Sequence, residues 1–237
     1  AAREAPELSE AGFTGGEPFH NRELASMLED VLGRGLHALV LTNAMRPMML
    51  KRRALLALNA AHGARLALRV SLDHHTAEGH DALRGAGSFA TAMEGLRWLA
   101  QNGFHVAVAG RTVSGAGEAA LRQGFAGLFA AHGLGIDAHD PRQLVLFPEM
   151  DGSSETPEIA ESCWAILGKR PDAMMCASSR MVVRRKGEPE ARVAACTLLP
   201  HDPRFDCGAT LAEARRRVWM SHPHCSRFCA LGGACCA

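Results

Sequence analysis

Strand-like and helix-like segments alternate along the first two-thirds of the chain, and this alternation limits the possible folds more than any other feature. A short apolar run, Gly12-Phe13-Thr14, ends in Gly15-Gly16. Leu24, Met27, Leu28, Val31 and Leu32 then fall at i, i+3, i+4, i+7 and i+8, one face of a helix, with Asn21 as its cap and Gly33 and Gly35 as its stops. Residues 36–41 read as a buried strand, a helix follows to about residue 61, and 65–72 is the next strand. A helix over 88–101 carries Phe89, Ala92, Met93 and Leu96 on one side. Strand 105–109, helix 118–131 and strand 143–147 complete the series.

Such alternation implies parallel strands joined by right-handed crossovers, an α/β architecture. Periodicity alone leaves a barrel and an open doubly wound sheet equally open. In both, ligands gather where strands end and the following loops begin. Those ends read Gly15-Gly16-Glu17-Pro18, Thr42-Asn43, Ser71-Leu72-Asp73, Gly110-Arg111 and Pro148-Glu149, polar groups set directly after apolar strands.

Beyond about residue 171 the alternation stops. Short strand candidates at 180–184 and 192–196 and a helix at 211–218 lead into a cysteine-rich tail. The expected organisation is a domain over 1–170 and a small module over 171–237. At 237 residues the chain has room for both. The net charge of +1 provides no electrostatic footprint for nucleic acid. No apolar run approaches the roughly 18 residues of a membrane span. All eight cysteines lie between Cys163 and Cys236. Disulfide frameworks belong mainly to small secreted domains, so thiols clustered at the end of a long α/β chain point to metal ligation in a reducing, cytoplasmic compartment. Cys163, beside Trp164, Ile166 and Leu167, reads as a buried structural thiol.

Phe13-Thr14-Gly15-Gly16-Glu17-Pro18 resembles the loop after the second strand of radical S-adenosylmethionine (radical SAM) enzymes. Two glycines allow close backbone approach, Glu17 offers an anion, and Pro18 stiffens the exit. Leu41-Thr42-Asn43 resembles the family's third strand end. Arg69-Val70-Ser71-Leu72-Asp73, His80-Asp81 and Arg84-Gly85-Ala86-Gly87-Ser88-Phe89 resemble its fourth strand and the loop beyond, and 95–108 the helix and strand that follow. The resemblance spans nearly the whole chain. It implies a partial (βα)6 TIM-like barrel lacking its first strand, in which Gly15, Gly16 and Glu17 bind the SAM ammonium, with Pro18, Thr42 and Asn43 beside them. Ser71 and Arg111 would contact the ribose hydroxyls and methionine carboxylate, an arginine fork suiting a carboxylate. Asp73, His74 and His75 would lie where substrate approaches.

The family's Cys-x3-Cys-x2-Cys motif, which holds the catalytic iron–sulfur cluster, normally precedes the Gly-Gly-Glu-Pro loop. Only fourteen residues precede Gly15, none of them cysteine. The expectation is a truncated form that cannot cleave SAM as it stands. The tail resembles a SPASM/twitch extension, which implies an auxiliary [4Fe-4S] cluster on Cys176, Cys196, Cys225, and Cys229 or Cys235, although the cysteine spacing departs from the usual pattern. For the intact protein, the resemblance implies reductive cleavage of SAM to a 5′-deoxyadenosyl radical, which abstracts hydrogen from a peptide or small metabolite. An electron donor such as flavodoxin or ferredoxin would serve it. Two other classes stay open on the residues: a non-catalytic protein that binds an iron–sulfur cluster or a peptide, and an α/β binding domain stabilised by zinc, with His222 or His224 completing the ligands.

Overall fold

The structure, a computed structural model, describes residues 7–112, 117–148 and 156–232. The chain divides into two compact units, Leu8–Glu149 and Met150–Ala237, the latter together with Ala1–Glu7.

The first unit is built on β1 (Glu10–Phe13), β2 (His37–Thr42), β3 (Leu66–Ser71), β4 (His105–Arg111) and β5 (Leu144–Phe147). All four pairings are parallel, and the strands lie side by side in chain order. Helix α1 (Leu24–Gly33) links β1 to β2. Helices α2 (Arg46–Met49) and α3 (Arg52–His62) link β2 to β3, α4 (Ala77–Arg84) and α5 (Ser88–Gln101) link β3 to β4, and α6 (Glu118–Ala131) precedes β5. A doubly wound sheet must reverse its strand order at a switch point, and here the order never reverses. Unbroken order with right-handed crossovers puts successive helices on one face, the arrangement of a partial TIM-like barrel. Between sheet and helices lies one core that includes Leu28, Leu32, Leu55, Val40, Leu68, Leu96, Leu99, Phe125 and Phe129, each at most 2% exposed. No helix among the described residues is long and apolar enough to cross a membrane.

Within the first unit the structure departs from the sequence reading in three places. The single helix expected after β2 is broken into α2 and α3 around the exposed Leu50. Helix α4 is not expected from the sequence, because it has no apolar stripe and its only buried residue is His80. It forms on its caps instead. Thr76 Oγ1 accepts the Gly79 N–H at 3.2 Å, and Gly85, with φ of 99°, ends it. Asn21 caps no helix but accepts the Glu23 N–H at 2.9 Å in the turn before α1.

The second unit has a smaller core of Val193, Ala195, Leu199, Phe205, Cys207 and Ala214. Its elements are α7 (Cys163–Leu167), α8 (Met175–Ser178), the antiparallel pair β6 (Met181–Val183) and β7 (Arg192–Ala194), and a π-helical segment Cys225–Leu231. Asp206 accepts from Arg192 at 2.6 and 3.1 Å and from Arg185 at 3.3 Å. Those guanidiniums, Arg192 first, hold its carboxyl far below the usual carboxylate range. The helix expected over 211–218 does not form and the segment runs as turns. Arg180 reaches it there, donating to the Ala214 carbonyl at 2.9 Å. Cys163 is half-buried rather than buried, and its helix leaves Ile166 83% exposed.

One close approach limits how the first unit can vary. Ala44 has φ of 56°, the left-handed region, and its carbonyl lies against Gly95 of α5, where an added Cβ would sit 1.8 Å from the oxygen. Backbone cannot yield as a flexible side chain does, so Gly95→Ala should cost about 3 kcal/mol. Thermal unfolding would then fall by roughly 6–12 °C, whereas Gly127→Ala, which meets nothing within 4 Å, should leave it unchanged or slightly higher.

Candidate functional site

At the ends of β1 and β2, a single carboxylate gathers the loops. Glu17 caps the short 3-10 turn Pro18–His20, its Oε1 accepting the Phe19 N–H at 3.2 Å. The same oxygen accepts the Thr42 hydroxyl at 3.0 Å, and Oε2 accepts the Asn43 N–H at 2.8 Å. Thr42 Oγ1 in turn accepts the Ala44 N–H at 3.1 Å, and Asn43 Oδ1 the Met45 N–H at 2.9 Å. Thr42 and Pro18 are buried, Glu17 and Asn43 half-buried. Gly15 and Gly16 stay exposed, with nothing within 4 Å of where a side chain would begin, and Gly15 has φ of 139°, which glycine adopts readily. The sequence reading gave Glu17 only to a ligand, but most of its acceptor capacity holds the chain itself together.

A second carboxylate does the same at the ends of β3 and β4. Asp73, 4% exposed, takes a two-pronged contact from Arg84, Nε to Oδ2 at 2.7 Å and Nη2 to Oδ1 at 3.0 Å. Arg111 Nε lies 3.5 Å from Oδ1, and the Arg111 N–H donates to the Asp73 carbonyl at 3.0 Å. Nδ1 of the wholly buried His80 accepts the Asp73 N–H at 3.1 Å. Ser71 sits half-buried on β3, in register with Ala109. Asp81 turns away from this group to cap α5, accepting from Gly87, Ser88 and Phe89 at 2.7–3.0 Å, and those bonds, the Phe89 N–H first, lower its pKa.

His74 and His75 stack at 4.2 Å between ring centres, each ring seated over a helix glycine. A Cβ on Gly79 would meet the His74 ring at 2.5 Å, and one on Gly124 the His75 ring at 2.5 Å. Burial, followed by the neighbouring His74, pushes the His75 pKa down. Its Nδ1 is buried without a hydrogen-bond partner among the described residues.

The structure therefore joins Glu17, Thr42 and Asn43 in one bonded group and Asp73 with Arg111 in another, at adjoining strand ends. Glu149 lies outside the described residues. In the sequence Arg84 and His80 stand out only as part of a longer segment. Their link to Asp73 bridges eleven and seven residues, and no local pattern signals it.

In the second unit Cys176, Cys196, Cys225 and Cys229 line one small cavity with Met175, Phe205, Met220 and His224. Burial pushes the Cys225 thiol up, and the nearby Cys196 and Cys176 add to the effect. Among the described residues, no three His, Cys, Asp or Glu side chains are grouped to hold a metal ion. Cys235 lies outside the described residues. Cys207, to which the sequence alone assigns no role, is buried in this unit's core, its thiol 3.6 Å from the Phe205 carbonyl.

Among solved structures, the chain is similar to Streptococcus suis SuiB, both in its crystal structure and in that bound to S-adenosylmethionine. Each gives a TM-score of 0.47 at 10% identity, over 64% of this chain and 32% of SuiB. It is also similar to TYW1 with a lysine–pyruvate adduct bound, at a TM-score of 0.44 and 14% identity over 77% of this chain and 55% of TYW1. The chain thus spans about a third of the one and just over half of the other. No curated protein matches the sequence. The Radical SAM superfamily model matches residues 1–119, half of the chain, a stretch that takes in both carboxylate-centred groups and the glycine loop beside the first, and by this match the chain belongs to the radical SAM superfamily.

Proposed function

We propose that this chain supplies the SAM-binding strand ends and an auxiliary-cluster module of a cytoplasmic radical SAM enzyme acting on a peptide or small metabolite, with electrons from a flavodoxin- or ferredoxin-like donor. The observation that carries the reading is the Glu17 group. A carboxylate offers about four lone-pair positions, and three are taken by Phe19, Thr42 and Asn43. The position left on Oε2, on the residue that follows the exposed Gly15 and Gly16, suits one N–H of an ammonium. Pro18 fixes the loop's exit, and Thr42 and Asn43 hold the carboxylate's orientation. Arg111, whose side chain is 42% exposed while Asp73 anchors its Nε side, suits the methionine carboxylate, and Ser71 the ribose. When bound and reduced by one electron, SAM supplies a 5′-deoxyadenosyl radical for hydrogen abstraction. The residues of this chain bind and orient it, and His74 and His75 line the approach for substrate.

Residues 1–162 contain no cysteine, so the first unit itself offers no thiolate ligand for a catalytic cluster. Among the described residues the four thiols of the second unit are not grouped as a bound metal would hold them, so an auxiliary iron–sulfur cluster is supported there by their shared lining alone. Cys176, Cys196, Cys225 and Cys229 share one largely apolar cavity, four sulfurs being the usual complement for a cubane, and Cys235 follows closely in sequence. Such a group would supply electron transfer or a substrate anchor there and would hold together a unit whose own core is small.

Three outcomes test this reading. The 237-residue chain alone, with SAM and strong reductant, should release no 5′-deoxyadenosine in a chromatographic assay, and cluster-dependent release would refute that expectation. In a calorimetric titration Glu17→Gln should weaken SAM binding by about 1.5–3 kcal/mol, because an amide placed to keep the Phe19 and Thr42 bonds turns its NH2 toward the ammonium. The same exchange opposes the Asn43 N–H, so thermal unfolding should fall too, and unchanged SAM affinity would leave Glu17 as a loop brace only. Anaerobic reconstitution should load about four iron and four sulfide per chain. Stoichiometric zinc without sulfide would favour a structural zinc site.

A further inference from the structure

The buried surroundings of Asp73 raise a question the SAM-binding reading does not answer: what holds the backbone where the sheet has run out. The Leu72 N–H points to β4, donating to the Ala109 carbonyl at 2.9 Å. Alternation turns the Asp73 N–H the other way, toward β2, but the β2 register ends with Thr42 opposite Val70. An amide left there without an acceptor would be costly. His80 fills the gap. It is the one buried residue of α4, fully inaccessible, and its Nδ1 lies 3.1 Å from that N–H. An acceptor at Nδ1 places the imidazole proton on Nε2, which is buried with no hydrogen-bond partner among the described residues and has the Phe89 ring edge-on at 5.8 Å between centres. A residue needed only for packing would not require an imidazole in so dry a place.

We propose that His80 is a positioning residue: as a neutral Nε2–H imidazole it replaces the missing strand acceptor, fixes the Asp73 backbone, and through the Asp73 carboxylate and carbonyl sets Arg111 at the rim of the sheet. The chain of contacts is continuous, from His80 Nδ1 to Asp73 N, from the Asp73 carboxylate to Arg84 and Arg111, and from the Asp73 carbonyl to the Arg111 N–H. Protonating Nδ1 would break the first link. The charged groups around the ring are Arg84 and Asp81 from its own helix and Asp73 and His74 from the segment after β3, while α5 presents the uncharged Phe89. Burial outweighs them all, with Arg84 adding to it, and the pKa is lowered from the ordinary 6.5. The sign follows: stability from the neutral ring is complete above the ordinary value and is lost as pH falls through the lower, folded value. Acid should therefore loosen Asp73 and Arg111 together.

The test uses the full chain, with and without SAM. In wild type, nitrogen NMR should show His80 as the Nε2–H tautomer, and the Asp73 amide and Arg111 Nε–H signals should shift together with its titration below pH 6.5. An Nδ1–H tautomer, or Asp73 and Arg111 signals that ignore that titration, overturns the proposal with no variant needed. His80→Asn keeps an acceptor in the Nδ1 place, whereas His80→Leu keeps only bulk. In His80→Leu, hydrogen exchange at the Asp73 amide should speed at least tenfold, and in His80→Asn it should stay within about threefold of wild type. Equal behaviour of the two variants reduces His80 to packing. That Arg111 faces SAM rests on the reading above, so titration is a separate arm. SAM affinity should fall about tenfold in His80→Leu and recover in His80→Asn. If wild type binds no SAM, that reading fails while the NMR result still decides the role of His80.

Discussion

Two carboxylates organise the rim of this sheet, and both work by collecting donors that the sheet itself leaves over. A parallel strand that stops sends its last amides into loop, where a buried N–H must find some other partner. Glu17 meets this need for Phe19 and Asn43 and adds the Thr42 hydroxyl. β1, only four residues long and flanked in the sheet by β2 alone, gains through Glu17 a second attachment to its neighbour. Asp73 works through both side chain and backbone, drawing Arg84 from α4 and Arg111 from β4. The glycine loop can stay open because the residues around it are so firmly tied.

The sheet was legible because its strands are continuous apolar runs, such as Leu39-Val40-Leu41 and Leu66-Ala67-Leu68, and its longer helices carry stripes at helical spacing. Helices α5 and α6 match the residues read for them. Barrel against doubly wound sheet could not be decided, since strand order is a property of long-range pairing that no local pattern encodes. Helix α4 stayed hidden for a different reason. It is held by a threonine cap, a glycine end and one buried histidine, and such a helix has no periodicity to find. At the site, the residue types at the strand ends were legible but their partners were not. Glu17 read as a group awaiting a ligand, while the fold spends most of its capacity internally.

The second unit reverses that balance. Its cysteines stand out in the sequence, but its architecture does not, because short strands and turns follow no long period. The expected helix over 211–218 contains Leu211, Val218 and a run of three arginines, and in the structure two of those arginines bind outside the segment, Arg215 to Glu7 and Arg216 to the Asp206 carbonyl. Asp206 ties β7 to the segment after β6, so in this unit charge pairing does much of what apolar stripes do in the sheet.

The glycines beneath the paired histidines have a consequence of another kind. Gly79 and Gly124 lie inside α4 and α6, where each costs about 1 kcal/mol of helix stability relative to alanine. Neither can be replaced without displacing an imidazole. The two helices that flank the rim are thus weakened by the same residues that make room for its aromatic rings. Local opening of either helix, with the strands left intact, therefore costs less than it would with alanine at these positions.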